Sequence, residues 1–199
     1  LIHARVVIED TPYETYVCVS EDFKEKGDSK IALDAYYQAE RNPGETLLSF
    51  CIRNGWEQYI YEMLVVDYLI LNRDRHGANI EVLRNKNRKS LRLAPLFDHG
   101  LSLVFSCTNQ ELLDQFDLLS DLRVQCCLGS GSTLENLKLI PPDKLPSLNP
   151  LSESDEQVLM EGLEHILPES WRKKIWNMIW RRWQVYESIC NQRRGRTEP

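Results

Sequence analysis

Apolar residues crowd one stretch of the chain above all others. Over residues 56–71, Tyr59, Ile60, Tyr61, Met63, Leu64, Val65, Val66, Tyr68, Leu69, Ile70 and Leu71 cover most of a helix surface. A helix that is apolar on nearly every side belongs in a core. After Tyr59 only Glu62 and Asp67 interrupt the run, and a carboxylate on a buried helix needs a hydrogen-bond or charge partner to offset its desolvation. Asp67 is therefore expected to brace the loop that follows.

Ahead of this helix, residues 4–9 and 15–20 are β-branched and aromatic runs joined by Asp10-Thr11-Pro12-Tyr13-Glu14, which predicts a β-hairpin with its turn at the Asp and Pro. Polar residues 21–30 read as a connector. Residues 31–40 read as a short helix stopped by Asn42-Pro43-Gly44, and residues 46–52 as another. Beyond the buried helix, the polar stretch 72–79 with Gly77 reads as a loop, and 80–84 and 91–94 as strands joined by a polar turn at 85–90. A hairpin returns the chain to its starting point, because paired strands lie only about 4.8 Å apart. Asn79 before it and Asp98 after it are thus expected to be neighbours.

The remainder is mixed: a helix over 109–119, a Gly129-Ser130-Gly131-Ser132 loop, and a Pro-rich stretch at 141–150. Two helices close the chain, 152–166 with Ser152 as cap and Asp155 three residues on, and 169–191. In the last, Trp176, Trp180 and Trp183 fall at i, i+4 and i+7, a stripe suited to core packing rather than a ligand box. No repeat or linker divides the chain. The pattern predicts one α+β domain, mainly α, over residues 1–199, opening on a β-hairpin.

Composition agrees with a globular chain, since 42% of the residues are hydrophobic before nine Gly are added. No apolar run approaches the roughly 18 to 20 residues that cross a bilayer, and Arg5 and Glu9 interrupt the opening apolar stretch, so neither a membrane span nor a signal peptide is expected. Cys18, Cys51, Cys107, Cys126, Cys127 and Cys190 lack the density and the CxxC pairs of disulfide or zinc frameworks, which predicts free thiols and a cytoplasmic location. A chain opening on Leu1 reads as a piece of something longer. The net charge of −6 divides into +6 over residues 171–199 and −12 over the rest. The basic tail is read as a solvated face, and no nucleic-acid partner is predicted.

The chemistry concentrates after the buried helix. Asp74 and Asn79 are five apart, and Asp98 opens an Asp-x-Gly triplet beyond the short hairpin, matching the Asp-x-x-x-x-Asn and Asp-Phe-Gly arrangement of kinase sites. Phosphoryl transfer needs a carboxylate beside the attacking hydroxyl and hard oxygen ligands for Mg²⁺. Asp74, Asn79 and Asp98 supply those groups. His76 is read as a brace for the loop, His99 as a turn residue, and Lys24, Lys26 and Lys30 as solvated.

The longer string Leu71-Asn72-Arg73-Asp74-Arg75-His76-Gly77-Ala78-Asn79, followed by Leu93-Ala94-Pro95-Leu96-Phe97-Asp98, resembles the catalytic and metal-binding loops of the HipA-like kinases of bacterial toxin systems. The resemblance covers roughly residues 1–180 and is strongest over 60–104. It implies a protein-kinase-like C-lobe, with 1–23 as remnant N-terminal hairpin and hinge and 31–199 as the helical lobe, ATP and Mg²⁺ as cofactors, and phosphorylation of a Ser or Thr hydroxyl on a protein substrate. It also implies an antitoxin, or a chain supplying the other lobe, as partner. By position Asp74 resembles the catalytic base, Asn79 and Asp98 the metal ligands that hold the nucleotide's phosphates, and Val19, Ser20 and Glu21 the hinge that meets adenine.

The Asp74-Arg75-His76 order is also similar to that of phosphoinositide-type lipid kinases, while Leu93-Ala94-Pro95-Leu96 favours the HipA-like reading. His99 stands where protein kinases commonly have Phe. No G-x-G-x-x-G and no Val-Ala-Ile-Lys strand occur in the sequence, so the donors that clamp ATP phosphates are expected from a truncated upstream lobe or from another subunit. Alone, the chain is expected to be nearly inactive. The competing reading is a catalytically silent module that holds a partner protein.

Overall fold

β1 (Ile2–Ile8) and β2 (Thr11–Val17) pair antiparallel in the computed structural model, which describes the backbone of these two strands and residues 22–195 in full. Their register pairs Ile8 with Thr11 and Val7 with Pro12, so Thr11, Pro12, Tyr13 and Glu14, expected in the turn, belong to the second strand. A two-stranded sheet has only edge strands, where the missing Pro N–H leaves no ladder partner unserved.

β3 (Asp28–Ala32) forms within the stretch expected to be a connector. Its polar composition conceals it, since what holds it is tertiary: Asp28 accepts hydrogen bonds from Asn85 Nδ2 at 2.8 Å and Arg92 Nη2 at 2.9 Å. α1 (Leu33–Glu40) follows at once, with the Leu33 N–H donating to the carbonyl of Ile80 at 2.9 Å. α2 (Leu47–Arg53) is capped by Thr46, whose side chain accepts from the Ser49 N–H. α3 (Glu57–Leu69) buries Ile60, Tyr61, Met63, Leu64, Val65 and Tyr68, as its all-round apolar pattern requires.

Next come β4 (Asp74–Arg75), a 3-10 turn at Gly77–Asn79, β5 (Glu81–Asn85) and β6 (Ser90–Leu93). β5 lies between β3 and β6, both antiparallel to it, so the predicted hairpin is part of a three-stranded sheet. α4 (Gln110–Gln115) is capped by Asn109. β7 (Gln125–Cys126) pairs parallel with β4. α5 (Thr133–Asn136), α6 (Asp155–Met160) and α7 (Glu169–Arg194) complete an α+β fold that is mainly helical with small sheets.

α6 is much shorter than the helix expected over 152–166. Asp155 does accept from the Ser152 N–H and hydroxyl, but Gly162 adopts φ +78° and the chain turns away. That left-handed conformation suits Gly, which has no Cβ to clash.

Two cores result. The larger gathers around α3, and the smaller joins Val104, Cys107, Leu113, Met160, Ile175 and Trp176. In α7 the tryptophan rings stack in series, Trp176 to Trp180 at 5.5 Å and Trp180 to Trp183 at 5.2 Å between centroids, which is the packing role expected of the stripe. α7 is tied to α3 by buried Arg182, which donates to the carbonyls of Tyr68 at 3.0 Å, Leu118 at 3.1 Å and Ser120. Cys51, Cys107, Cys126, Cys127 and Cys190 are free thiols, and Cys18 lies outside the described residues. Among the described residues no helix is long and apolar enough to cross a membrane.

Candidate functional site

The end of α3 and the loop after it are locked by Asp67. Its backbone carbonyl accepts from the Asn72 N–H at 2.9 Å, and its Oδ1 from Asn72 Nδ2 at 2.8 Å. The same carboxylate takes a two-pronged pair of bonds from Arg75, Nε to Oδ2 at 2.9 Å and Nη2 to Oδ1 at 2.8 Å. Asp67 is 4% exposed and Arg75 1%, so each charge is compensated where water cannot reach it. The bracing role expected of Asp67 is what the fold uses.

Arg75 then spends its remaining donors on two other segments. Its Nη1 donates to the carbonyls of Asn79 at 3.0 Å and Phe97 at 3.2 Å, so those carbonyls are no farther apart than two hydrogen bonds laid end to end. The chain before and after the hairpin meets as expected. Arg75 Nη2 also lies 3.0 Å from His99 Nε2. A guanidinium only donates, so the ring accepts through Nε2 and stays neutral, with its proton on Nδ1. Burial, reinforced by the Arg75 charge, holds the His99 pKa below its ordinary value.

Within the loop, Asn79 is buried and its Nδ2 donates to the carbonyl of Asp74 at 2.9 Å. That bond fixes which way the amide faces and leaves Oδ1 as the end with ligand capacity. His76 caps the 3-10 turn, its Nδ1 accepting from the Ala78 N–H at 3.2 Å, and its Nε2 lies 3.7 Å from Asp74 Oδ2. Both contacts fit the supporting role expected of it. Gly77 is required by close approach: a Cβ there would stand 2.6 Å from Asp34 Cβ at the start of α1.

Asp98 sits between Phe97 and His99, both bonded to Arg75, so its backbone is tied to the Asp74–Asn79 loop while its side chain faces solvent. It adopts φ +55°, and Leu71 and Leu103, which also border the loop, adopt φ +50° and +60°. Left-handed backbone at non-glycine residues costs about 1–3 kcal/mol each and collects at functional sites. Phe23 stacks on Phe97 at 6.3 Å, and Lys30, expected to be solvated, pairs with Glu81 at 2.9 Å and lies over the Phe23 ring.

A second anchor comes from later in the chain. The Arg73 N–H donates to the carbonyl of Leu101 at 3.1 Å, and its own carbonyl accepts from the Gln125 N–H at 2.8 Å. The Arg75 carbonyl accepts from the Cys127 N–H at 3.0 Å. Asp74 is thus held from both sides on a two-residue strand, its side chain half-buried.

Among the described residues no group of three His, Cys, Asp or Glu side chains gathers around a metal position. The candidate set is of another kind, one amide and two carboxylates in adjoining loops. Mg²⁺ takes one or two protein carboxylates and completes its octahedron with phosphate oxygens and water. The hard oxygen donors of Asn79 and Asp98, with Asn79 oriented by Asp74, fit such an ion. Val19, Ser20 and Glu21 lie outside the described residues.

Sequence reasoning missed Arg75 as the hub, His99 as its acceptor, and the Gly77–Asp34 contact. One signal was present: a buried Asp67 needed a hydrogen-bond or charge partner, and Arg75 stands in the loop it was expected to brace. No family model, no curated protein and no solved structure matches the chain.

Proposed function

We propose that the chain is the helical lobe of a HipA-like protein kinase, transferring the γ-phosphoryl group of ATP to a Ser or Thr hydroxyl. The carrying observation is the single buried guanidinium of Arg75, which binds Asp67, the carbonyls of Asn79 and Phe97, and His99 at once. That hub supports a site in which Asp74, Asn79 and Asp98 act on one nucleotide. Asp74 orients the acceptor hydroxyl and takes its proton, helped by a half-buried position beside His76. Asn79 and Asp98 hold Mg²⁺, whose charge offsets that developing on the transferring phosphoryl group.

Clamping the ATP phosphates needs donors beyond those identified here, so the test uses the full-length protein with any upstream segment. Mg²⁺-dependent stabilisation by ATP and transfer of labelled phosphate are expected in wild type, with transfer lost in Asp98→Ala. A full-length protein that gains no stability from Mg²⁺-ATP and labels no substrate would end this reading. Two alternatives remain distinct: a silent partner-binding module would bind no nucleotide, and a phosphoinositide-type kinase would label lipid headgroups in place of protein.

A further inference from the structure

The β5–β6 turn carries five cations, Arg84, Lys86, Arg88, Lys89 and Arg92, in a chain whose net charge is −6. Two are neutralised: Arg88 pairs with Glu25, and Arg92 with Asp28 at 2.9 Å. Arg84, Lys86 and Lys89 are exposed, have no carboxylate within ion-pair distance among the described residues, and line one cavity of about 420 Å³. Tyr36 and Ser90 add hydroxyls to its wall, and Glu40 is its one acidic residue.

The turn is rigidly presented. Asn85 is 2% exposed, and its amide donates to the Lys26 carbonyl and Asp28 while its Oδ1 accepts from the Arg88 N–H at 3.0 Å. Lys89 occupies a left-handed position at φ +50°, where Gly or Asn is the easy choice.

We propose that this turn docks an acidic segment of a partner protein, which on the kinase reading above is the acceptor. Three unpaired cations presented by a braced turn over a concave surface complement a few carboxylates. A long nucleic acid would run past the cations onto the acidic remainder of the chain and be repelled wherever its phosphates come within the roughly 8 Å Debye length of those carboxylates, whereas a short acidic segment stays on the turn. β5 runs from just beyond Asn79 to Asn85, on the order of 17 Å at the usual strand rise. An extended acceptor anchored at the turn therefore has reach to Asp74.

Fluorescence anisotropy with a short labelled Glu-rich peptide tests this without ATP. Binding is expected in wild type, falling with added salt, and weakened about tenfold or more in Lys86→Glu/Lys89→Glu. Lys89→Gly, which relieves the backbone, is expected to keep or raise thermal stability yet weaken the peptide. Absent binding, unchanged binding in both variants, preference for a single-stranded RNA of the same length, or full competition by inorganic phosphate would each overturn the proposal. Peptide binding that persists in a protein that transfers no phosphate would keep the docking surface and remove the kinase.

Discussion

Asp67 and Arg75 form a buried two-pronged ion pair, with both contacts under 3 Å, eight residues apart across the end of α3. Removing one partner of such a pair strands the other charge away from water, at a cost of about 3–5 kcal/mol. Arg75→Ala and Asp67→Ala are each expected to lose that much in urea denaturation, and the double variant less than their sum. Strictly additive losses would show that the pair is not coupled. Arg75→Ala removes the donors to Asn79 and Phe97 as well, so it is expected to lose any Mg²⁺-ATP stabilisation.

His99 makes the same hub sensitive to acid. Its pKa is near 6.5 in the unfolded chain and lower in the folded one, so the unfolded chain binds the extra proton between those values. The stabilisation is fully present above about pH 6.5 and is lost as pH falls through that value toward the folded pKa. Wild type is expected to lose more of its urea midpoint on acidification than His99→Gln, whose amide oxygen still accepts from Arg75. Parallel losses in the two proteins would refute the linkage.

Gly77→Ala puts a methyl group into the space held by Asp34 Cβ. Since the obstacle is the root of a side chain rather than its mobile end, the backbone of α1 or of the 3-10 turn has to move. A loss of about 1–3 kcal/mol is expected from overpacking. Asp34→Gly combined with it should return part of that loss. A fully stable single variant, measured by thermal melting, would show that the two elements are not in register as described.

Among the described residues Arg182 has no carboxylate within hydrogen-bond range; its donors go to three backbone carbonyls, two of them in the segment before β7. Arg182→Ala takes the side-chain donor from the Leu118 and Ser120 carbonyls, leaves Tyr68 only its backbone partners, and is expected to cost about 2–4 kcal/mol. Arg182→Lys is expected to recover little, because an ammonium on a flexible stem cannot reproduce the planar fork. Full rescue by Lys would mean that charge, not geometry, is what the position supplies.

The expected helix over 56–71 and the observed Glu57–Leu69 nearly coincide because an all-round apolar pattern has only one economical reading. Asp67 was legible for the complementary reason: a charge in that pattern has to be answered. What answered it was not legible, since Arg75, His99 and the Phe97 carbonyl come together through folding rather than through spacing. β3 escaped notice because Asp28-Ser29-Lys30 is polar and its ladder partner stands more than fifty residues away. The positions of Asp74, Asn79 and Asp98 in adjoining loops were foreshadowed by the hairpin; the bond that turns the Asn79 amide was not.

Arg73 uses its N–H on Leu101 and its carbonyl on Gln125, so the twenty-odd residues between them form a handle fastened at both ends to a single residue. Such a handle can be re-surfaced at exposed positions such as Leu112 and Leu119 while its buried Val104, Cys107 and Leu113 stay in the smaller core and the neighbouring acid keeps its station. The outward positions of that handle are thereby free to vary without moving the Asp74 backbone.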